Sequence, residues 1–404
     1  MSYISSRTYS LTAPELGIDP YPTYKSLRNE APLCWDEQSQ AWLISRYDDV
    51  INLLLDHRRF TAKLQSPSPE NIGYEQRSKI FEILSKTMYW VEPPNHTRLR
   101  ELVEKTFIPR ISGMKERIQQ IVDDLLDKVQ AQGHMDIISD LADPLPVLIL
   151  TELLGVPEKE VTQLKQWGLS MVKVFSNAPT APEEDRQILQ DLVAMTDYFR
   201  SLIKQRIQKP SDDLITDLTL VEKQGDNLSQ QEIIVNIGLL LAAGIAVATY
   251  LIGNSLLALL RHPDQMQKLR KDPSSIGSAI KEFLRYETSL QWVVRRATVD
   301  VELHGQLIRK DQLVLVGLGA ANRDETRFLD ADHLDINRQD NSHLAFGSGP
   351  HFCLGASLFH LQAEIAINTT LHRLNGLRLE SNSLGWFGAP VLRALQSLPV
   401  TFEV

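Results

Sequence analysis

The sequence predicts a mainly α-helical protein with small peripheral β-sheets. From residue 111 onward, most segments carry apolar residues at three- and four-residue spacing, the pattern of amphipathic helices. A capping box at Ser229–Glu232 (SQQE) opens an apolar stretch that continues to Arg261, where His262-Pro263 ends it. This stretch predicts a central helix of about 33 residues, long enough to cross a whole domain. The strands expected after it are short.

The individual elements are predicted from the spacing of apolar residues and from the turn residues between them. Helical spacing occurs at Tyr21–Glu30, Tyr47–Asp56, Met114–Ala131, Pro144–Leu154, Leu189–Gln208, Ser274–Tyr286 and Ala356–Leu374. Short runs of strand character occur at Ala41–Ser45, Val299–Leu303, Gln306–Ile308, Leu313–Leu318 and Pro399–Val404. The helices account for far more of the chain than the strands do, which supports the mainly α class.

Length and composition limit the class of protein. The chain has 404 residues, a length that by itself suggests roughly two or three domains, yet no repeat or low-complexity linker marks a boundary. The formal net charge of −9 argues against general nucleic-acid binding. The two cysteines, Cys34 and Cys353, form no disulfide framework, and the first residues carry no signal-peptide or anchor pattern. We therefore expect a cytoplasmic protein.

One apolar segment allows two interpretations. Ile237–Leu260 is apolar enough for a transmembrane helix, but it also fits a helix buried in the middle of a large domain. Several polar side chains in and beside it would be costly against lipid: Asn236, Thr249, Tyr250, Asn254 and Ser255. Helical sequence also flanks the segment on both sides. These features favour a buried helix and no membrane span.

A glycine-rich loop surrounds the second cysteine. Residues 346–355 read FGSGPHFCLG, and the helix predicted from Ala356 begins directly after them. Glycines let a backbone curl tightly and approach a flat ligand, and a helix N-terminus stabilises negative charge on a nearby sulfur. These local features indicate that Cys353 is either a metal ligand or a catalytic nucleophile.

The same loop carries a family signature. Phe346, Gly349, His351, Cys353 and Gly355 fill every specified position of F-x-x-G-x-[HR]-x-C-x-G, so the chain resembles the cytochrome P-450 family. The resemblance implies a haem-thiolate monooxygenase that binds haem b through Cys353 and uses O2 as co-substrate. It also implies a single triangular domain over residues 1–404, with the long central helix over the haem.

Further motifs of the family occur in the expected order. Glu282 and Arg285 form its E-x-x-R pair, and Arg338 lies in LDINR, which is similar to its F-D-x-x-R. Residues 90–100 (WVEPPNHTRLR) resemble D-P-P-x-H-T-x-x-R, with Glu92 in place of Asp. The resemblance implies a structural role for the first three residues. It implies haem-propionate binding by four cations: His96, Arg100, Arg295 and His351.

The central helix departs from the family pattern. Where most members have A-G-x-[DE]-T-T, this chain keeps Gly244 but has Ala246 for the acid and Val247 for the threonine. Thr249 lies about 200° around the helix from Val247 and should not substitute directly. We favour protons delivered by a substrate hydroxyl or ordered water at this oxygen-binding region. Peroxide as oxidant, or a different reaction such as phenol coupling or dehydration, remain alternatives.

Substrate contacts are expected from separated, mostly apolar segments, which predicts a small to medium hydrophobic substrate. The candidates for the pocket are Met88, Tyr89, Leu240, Ala243, Trp292, Val293 and Leu392. Tyr89 and Trp292 suit stacking on an aromatic group and suit core packing equally. The favoured function is a monooxygenase of specialised metabolism, and a non-catalytic haem-thiolate sensor is the alternative from another class.

Electrons have to come from outside, because the chain contains no flavin or iron–sulfur motif. The resemblance implies a ferredoxin or flavodoxin with its reductase, so that NAD(P)H acts only indirectly. Arg98–Arg117 holds six Arg/Lys against three Glu, a locally basic stretch. It is either a docking surface for that partner or an ordinary solvated helix face. We expect a monomer.

Overall fold

The computed structural model describes residues 9–11, 15–63, 74–176, 181–223, 225–381, 383–387 and 391–404. The chain divides into two compact units. The first unit comprises Met1–Ala62, Val122–Ala142 and Thr249–Val404, and the second comprises Lys63–Ile121 and Asp143–Ala248. The single domain expected for residues 1–404 stays a prediction.

The helices dominate, as the sequence predicts, and the mainly α class is confirmed. In chain order they are α1 (Glu15–Ile18), α2 (Tyr21–Glu30), α3 (Tyr47–Leu55), α4 (Tyr74–Leu84), α5 (Asn95–Ser112), α6 (Lys115–Asp127), α7 (Pro144–Leu153), α8 (Val161–Ser176), α9 (Pro182–Gln208), α10 (Leu214–Leu220), α11 (Gln230–Arg261), α12 (Pro263–Lys271), α13 (Ile276–Tyr286), α14 (Leu318–Ala321) and α15 (Ala356–Arg373). Most predicted helices begin and end within a few residues of these bounds.

The strands are short and form small sheets. They are β1 (Leu33–Asp36), β2 (Ala41–Ile44), β3 (Phe60–Thr61), β4 (His134–Asp136), β5 (Glu222–Lys223), β6 (Asp226–Asn227), β7 (Trp292–Ala297), β8 (Val301–Leu303), β9 (Gln306–Ile308), β10 (Leu313–Gly317), β11 (Arg378–Leu379) and β12 (Pro399–Thr401). The first unit holds a mixed sheet in the order β1-β2-β10-β7-β3, a sheet β11-β12-β4 and the hairpin β8-β9, and the second holds the hairpin β5-β6. The predicted strands at 299, 313 and 399 are each shorter than expected.

Trp292 belongs to the core of the first unit. Its side chain is 1% exposed, and its indole N–H donates to the Tyr24 hydroxyl at 2.9 Å. The two rings pack edge to face, with centroids 5.5 Å apart. A buried indole whose polar group is satisfied and whose ring is packed serves the core, so the packing interpretation of Trp292 is favoured over stacking on a substrate.

The central helix α11 begins at the predicted capping box. The backbone N–H of Ser229 donates to Glu232 Oε2 at 2.8 Å, and that of Glu232 donates to Ser229 Oγ at 3.3 Å. Among the described helices it alone is long and apolar enough to cross a membrane. Its most apolar window is 72% buried in the protein, and a core helix satisfies the same criteria of length and composition. This burial agrees with the buried-helix interpretation.

Candidate functional site

The cysteine loop of the first unit folds back on itself just before α15. The backbone N–H of Cys353 donates to the Phe346 carbonyl at 3.0 Å, and that of Ala356 donates to the Cys353 carbonyl at 3.4 Å. A Cβ on Gly355 would lie 3.3 Å from the Phe359 ring and 3.9 Å from the Cys353 sulfur. The loop therefore holds a half-buried thiol at a helix start, with a residue beside it that has no side chain.

Two glycines of this loop are required by its backbone. Gly347 and Gly349 have φ values of +70° and +72°, in the left-handed region that side chains disfavour. A Cβ on Gly349 would also come within 2.8 Å of the Leu54 carbonyl oxygen. The sequence prediction that these glycines shape the loop thus has a structural reason.

The ring of Phe346 forms the base of the loop. It stacks on Phe359 with centroids 6.0 Å apart, and the imidazoles of His343 and His360 lie 5.8 and 5.7 Å from it. Desolvation is the main cause that lowers the pKa of His343 to about 3, and repulsion by Lys281, and by His360 when it is protonated, adds to the shift. Burial also lowers the pKa of His360. The His343 imidazole is therefore neutral near neutral pH, and the lowered pKa of His360 favours its neutral form.

The structure brings together the three residues expected to form a structural core. Glu282 is fully buried and accepts hydrogen bonds from Arg285 Nη2 at 2.7 Å and from Arg338 Nε at 3.1 Å. Its carboxylate also accepts from Asn341 Nδ2 and from the backbone of Asp335, both at 3.0 Å. A buried carboxylate satisfied by so many donors fixes the segments that supply them. Sequence patterns did not identify Asn341, because a single Asn in a loop carries no spacing signal.

The four cations expected to bind haem propionates lie in both units. In the second unit His96 and Arg100 lie four residues apart in α5, so they share a helix face, and Arg100 Nε contacts Glu104 Oε1 at 2.6 Å. In the first unit Arg295 is 8% exposed in β7, and His351 ends a short turn two residues before Cys353. Arg and His are the residue types that pair with the propionates of a haem, and a thiol at a helix start suits an axial ligand, so the chemistry of these side chains fits a haem.

The segment of α11 expected to bind oxygen is closely packed in the second unit. A Cβ on Gly244 would lie 2.8 Å from Leu150 Cδ1 in α7, and one on Gly168 in α8 would lie 2.7 Å from Ile245 Cδ1. Ala246 is buried and Val247 half-buried, whereas Ala243 is exposed. The segment 243–248 contains neither a carboxyl nor a hydroxyl group, so its side chains cannot carry a proton.

Asn236 anchors the loop that contains two of the substrate-pocket candidates. Its Oδ1 accepts from the backbone N–H of Met88 at 3.0 Å, and its Nδ2 donates to the Glu232 carbonyl at 2.8 Å. The neighbouring Tyr89 packs with Phe175 at 5.2 Å between centroids. In the sequence, Asn236 is distinguished only as a polar residue beside an apolar run. A single polar residue at such a position is the signal that could have indicated its structural role.

The other pocket candidates are less distinctive. Leu240 is buried in α11 of the second unit. In the first unit Val293 is half-buried in β7, and Leu392 forms an isolated bridge with Leu290. All three side chains are apolar, in agreement with a hydrophobic lining.

The basic stretch of the second unit is paired within the unit. Arg98 contacts Glu232 and Asp226, Arg110 contacts Asp212 at 2.7 Å and Asp217 at 2.6 Å, and Arg117 contacts Glu152 at 2.5 Å. Lys105 Nζ donates to the Glu222 carbonyl at 2.7 Å. These pairs reduce the charge available to a partner, so the solvated helix face is the favoured interpretation of Arg98–Arg117.

Comparison with known proteins gives consistent matches. The family model described as cytochrome P450 matches residues 29–377. A cytochrome P450 of Bacillus subtilis is 38% identical over 99% of this chain and 97% of its own length, and the biotin biosynthesis cytochrome P450 of that organism is 37% identical over 98% and 99%.

Solved structures match over similar lengths. The structure of P450BioI with a hexadec-9Z-enoic acid ligated acyl carrier protein has a TM-score of 0.88 at 36% identity, over 96% of this chain and all of that one. The bacillaene polyketide synthase cytochrome P450 PksS of Bacillus subtilis 168 has a TM-score of 0.90 at 33% identity, over 98% of this chain and all of that one.

Proposed function

The chain belongs to the cytochrome P450 family, and on that premise we propose that Cys353 is the axial ligand of its haem iron. The protein is an oxidoreductase of the bacterial monooxygenase type, in a family that uses haem b and O2 and serves secondary metabolism. The observation that carries the assignment is the cysteine loop, in which two left-handed glycines precede Cys353 and the start of α15 follows it. A bound haem supplies the activation of O2 and the oxidation of substrate.

The experiment is a carbon-monoxide difference spectrum of the reduced, haem-loaded protein. Thiolate ligation predicts the red-shifted Soret band that gives the family its name. Cys353→Ser should abolish this band, while Cys34→Ser is the matched control and should retain it. A haem-loaded native protein without the band would refute the assignment of Cys353.

We propose that His96, Arg100, Arg295 and His351 hold the haem propionates. Charge-assisted hydrogen bonds from Arg and His to carboxylates support this assignment. Neutral replacements such as Arg295→Gln and Arg100→Gln should speed the transfer of haem to an excess of apomyoglobin. Unchanged transfer rates for both variants would argue against a role for these two arginines.

We further propose that the substrate or ordered water supplies the protons that Ala246 and Val247 cannot hold. The apolar character of 243–248 supports this proposal, because no side chain there accepts or donates a proton. The chain's own contribution in that segment is to exclude bulk water and to shape an apolar wall. Peroxide use is less favoured, since the family's known peroxide users place an arginine on this helix and 245–248 has none.

The proposed substrate is a small to medium hydrophobic molecule, and the apolar side chains of Met88, Leu240 and Leu392 support it. A hydrophobic acyl group attached to a carrier protein is a second candidate, favoured by the similarity to P450BioI, which was solved with an acylated carrier. Soret titration with a free long-chain fatty acid and with its carrier-linked form separates the two. A shift caused only by the carrier-linked form would favour the second candidate.

We propose that electrons come from a ferredoxin or flavodoxin with its reductase, and that the protein is a cytoplasmic monomer. The ion pairs of Arg98, Arg110 and Arg117 favour a docking surface elsewhere than on Arg98–Arg117. Neutralising Arg98, Lys105 and Arg110 together should then leave the apparent KM for ferredoxin nearly unchanged at low salt. A raised KM would restore the docking interpretation of this stretch.

A further inference from the structure

The first unit contains a cavity whose lining includes none of the proposed haem-binding or pocket residues. Its volume is about 960 Å³, and it lies among the start of α2, the ends of α11 and α13, and the C-terminal segment around Trp386 and Arg393. Sites for small organic molecules typically measure about 300–1,000 Å³. The cavity is therefore large enough for a ligand of its own.

Arg393 lines this cavity, and only some of the N–H groups of its guanidinium have hydrogen-bond acceptors. Its side chain is 6% exposed and lies over Trp386, with the guanidinium carbon 3.6 Å from the ring centre. Nη1 donates to the Ile18 carbonyl at 2.8 Å, and Nε contacts Glu287 Oε2 at 3.3 Å. Nη2 has no acceptor within the described part of the chain. One donor of a fixed, mostly buried cation is thus available.

Arg261 supplies a second cation at the cavity. It ends α11 and is exposed, and its guanidinium has neither an ion pair nor a hydrogen bond to any residue that the structure describes. A third arginine of the lining, Arg323, already has partners within the protein. Its guanidinium lies between the rings of Tyr21 and Tyr286 at 4.0 and 3.7 Å and donates to the Tyr286 carbonyl.

The acidic groups of the lining already have hydrogen-bond donors. Asp19 accepts from the backbone N–H of Tyr21 at 3.2 Å, and Glu287 accepts from the Tyr21 hydroxyl at 3.2 Å. Asp332 accepts from Arg323 at 3.1 Å. The described lining carries four cations (Lys25, Arg261, Arg323 and Arg393) against these three carboxylates, so its formal charge is slightly positive, and aromatic surface from Trp386 lies beside it. These groups suit an anion that carries a flat ring.

We propose that this cavity binds an aromatic carboxylate, whose charge pairs with Arg261 and Arg393 and whose ring packs beside Trp386. Binding here is independent of the haem iron, because no proposed haem ligand lines the cavity. The site therefore holds an aromatic acid while a substrate occupies the haem pocket.

The test uses holoprotein whose iron is already ligated by an azole inhibitor, so that ligands cannot report on the haem pocket. Calorimetric titration should give one site for 2-naphthoate without a change in the azole Soret band. The neutral 2-naphthamide and the non-aromatic cyclohexanecarboxylate should each bind at least about fivefold more weakly, since each lacks one of the two interactions. Equal affinity for all three, or displacement of the azole, would overturn the proposal.

Variants locate the site within the protein. Arg261→Ala and Trp386→Leu should each weaken 2-naphthoate binding about fivefold or more, while the carbon-monoxide spectrum stays unchanged. Arg309→Ala is the matched control, since Arg309 is an exposed arginine of the first unit outside the cavity, and it should bind as the native protein does. Native affinity in both Arg261→Ala and Trp386→Leu would place the ligand elsewhere and contradict the proposal.

Discussion

The side chain of Asn236 holds the backbone of Met88, with 3.0 Å between Asn236 Oδ1 and the Met88 nitrogen. Asn236 is 1% exposed and Met88 is 5% exposed, so the bond is shielded from water. A buried hydrogen bond between an element and a loop fixes the loop's position, because breaking it leaves a backbone N–H without a partner. The central helix thereby positions the loop that carries Met88 and Tyr89.

Asn236→Leu should loosen this loop. An unsatisfied buried N–H costs about 1–3 kcal/mol, so the loop is expected to shift toward conformers that satisfy it. We expect a higher KM and an altered ratio of hydroxylated products, with the carbon-monoxide Soret band retained. Gln231→Leu is the control, because Gln231 makes only a long bond of 3.4 Å to the Ile83 carbonyl. Native KM and product ratio in Asn236→Leu would show that the loop does not depend on this bond.

Gly168 allows the close approach of α8 to the central helix. A Cβ there would lie 2.7 Å from Ile245 Cδ1 and 3.3 Å from the Leu241 carbonyl oxygen. Alanine gains about 1 kcal/mol of helix propensity over glycine, but overpacking costs about 1–3 kcal/mol. Gly168→Ala should therefore lower the free energy of unfolding by up to about 2 kcal/mol, measured by denaturant titration.

Two further variants test whether the contact between Gly168 and Ile245 causes this loss of stability. Gly277→Ala should raise stability by about 0.5–1 kcal/mol, because Gly277 lies in α13 with no atom within 4 Å of the added Cβ. Ile245→Val removes Cδ1 and should offset part of the loss in Gly168→Ala. Additive effects in the double variant would exclude this contact as the cause.

Sequence patterns predicted the helices well and the long-range contacts poorly. Tyr21–Glu30 was predicted with its observed bounds because its apolar residues follow helical spacing. Strand β7 (WVVRRA) was not predicted, because two adjacent arginines hide its alternation, although it pairs with β10 on one side and β3 on the other. Helix α5 contains Pro109, which usually ends a helix, so its bounds were not predicted, although a helix face was one interpretation of Arg98–Arg117.

In the candidate site, too, the local features were predicted from the sequence and the long-range contacts were not. The resemblance to the family identified the loop of Cys353 and the Glu282–Arg285 pair, because each motif lies within ten residues of sequence. The bond between Asn236 and Met88 joins residues 148 apart, and the pairing of Arg110 with Asp217 joins residues 107 apart. Contacts of this kind arise from tertiary packing, which no local pattern encodes.

His343 should make the protein sensitive to acid. Desolvation lowers its pKa from 6.5 to about 3, so the unfolded chain binds the proton more readily than the folded protein. Stability is therefore full above pH 6.5 and falls as the pH decreases toward 3. His343→Gln keeps an acceptor for the Ala345 N–H, which lies 3.3 Å from Nδ1, and cannot be protonated.

The measurement is the Tm of the holoprotein as a function of pH within this window. His343→Gln should reduce the loss of Tm on acidification relative to the native protein. The exposed His372 provides a control, since His372→Gln should follow the native profile. Parallel profiles for all three proteins would mean that other groups cause the acid sensitivity.

We expect Ala246 and Val247 to limit how well electrons are coupled to product. Neither position has a carboxyl or a hydroxyl, and the proposal is that protons come from the substrate or from water held beside it. Ala246→Asp with Val247→Thr restores a relay that does not need the substrate's help. In the native protein, product formed per NADPH should therefore vary strongly among substrate analogues, and most of all when a hydroxyl is removed. The double variant should reduce this dependence, and hydrogen peroxide released per NADPH is the complementary measurement. Tight coupling in the native protein for every analogue, unaffected by the double substitution, would rule out substrate-assisted proton delivery.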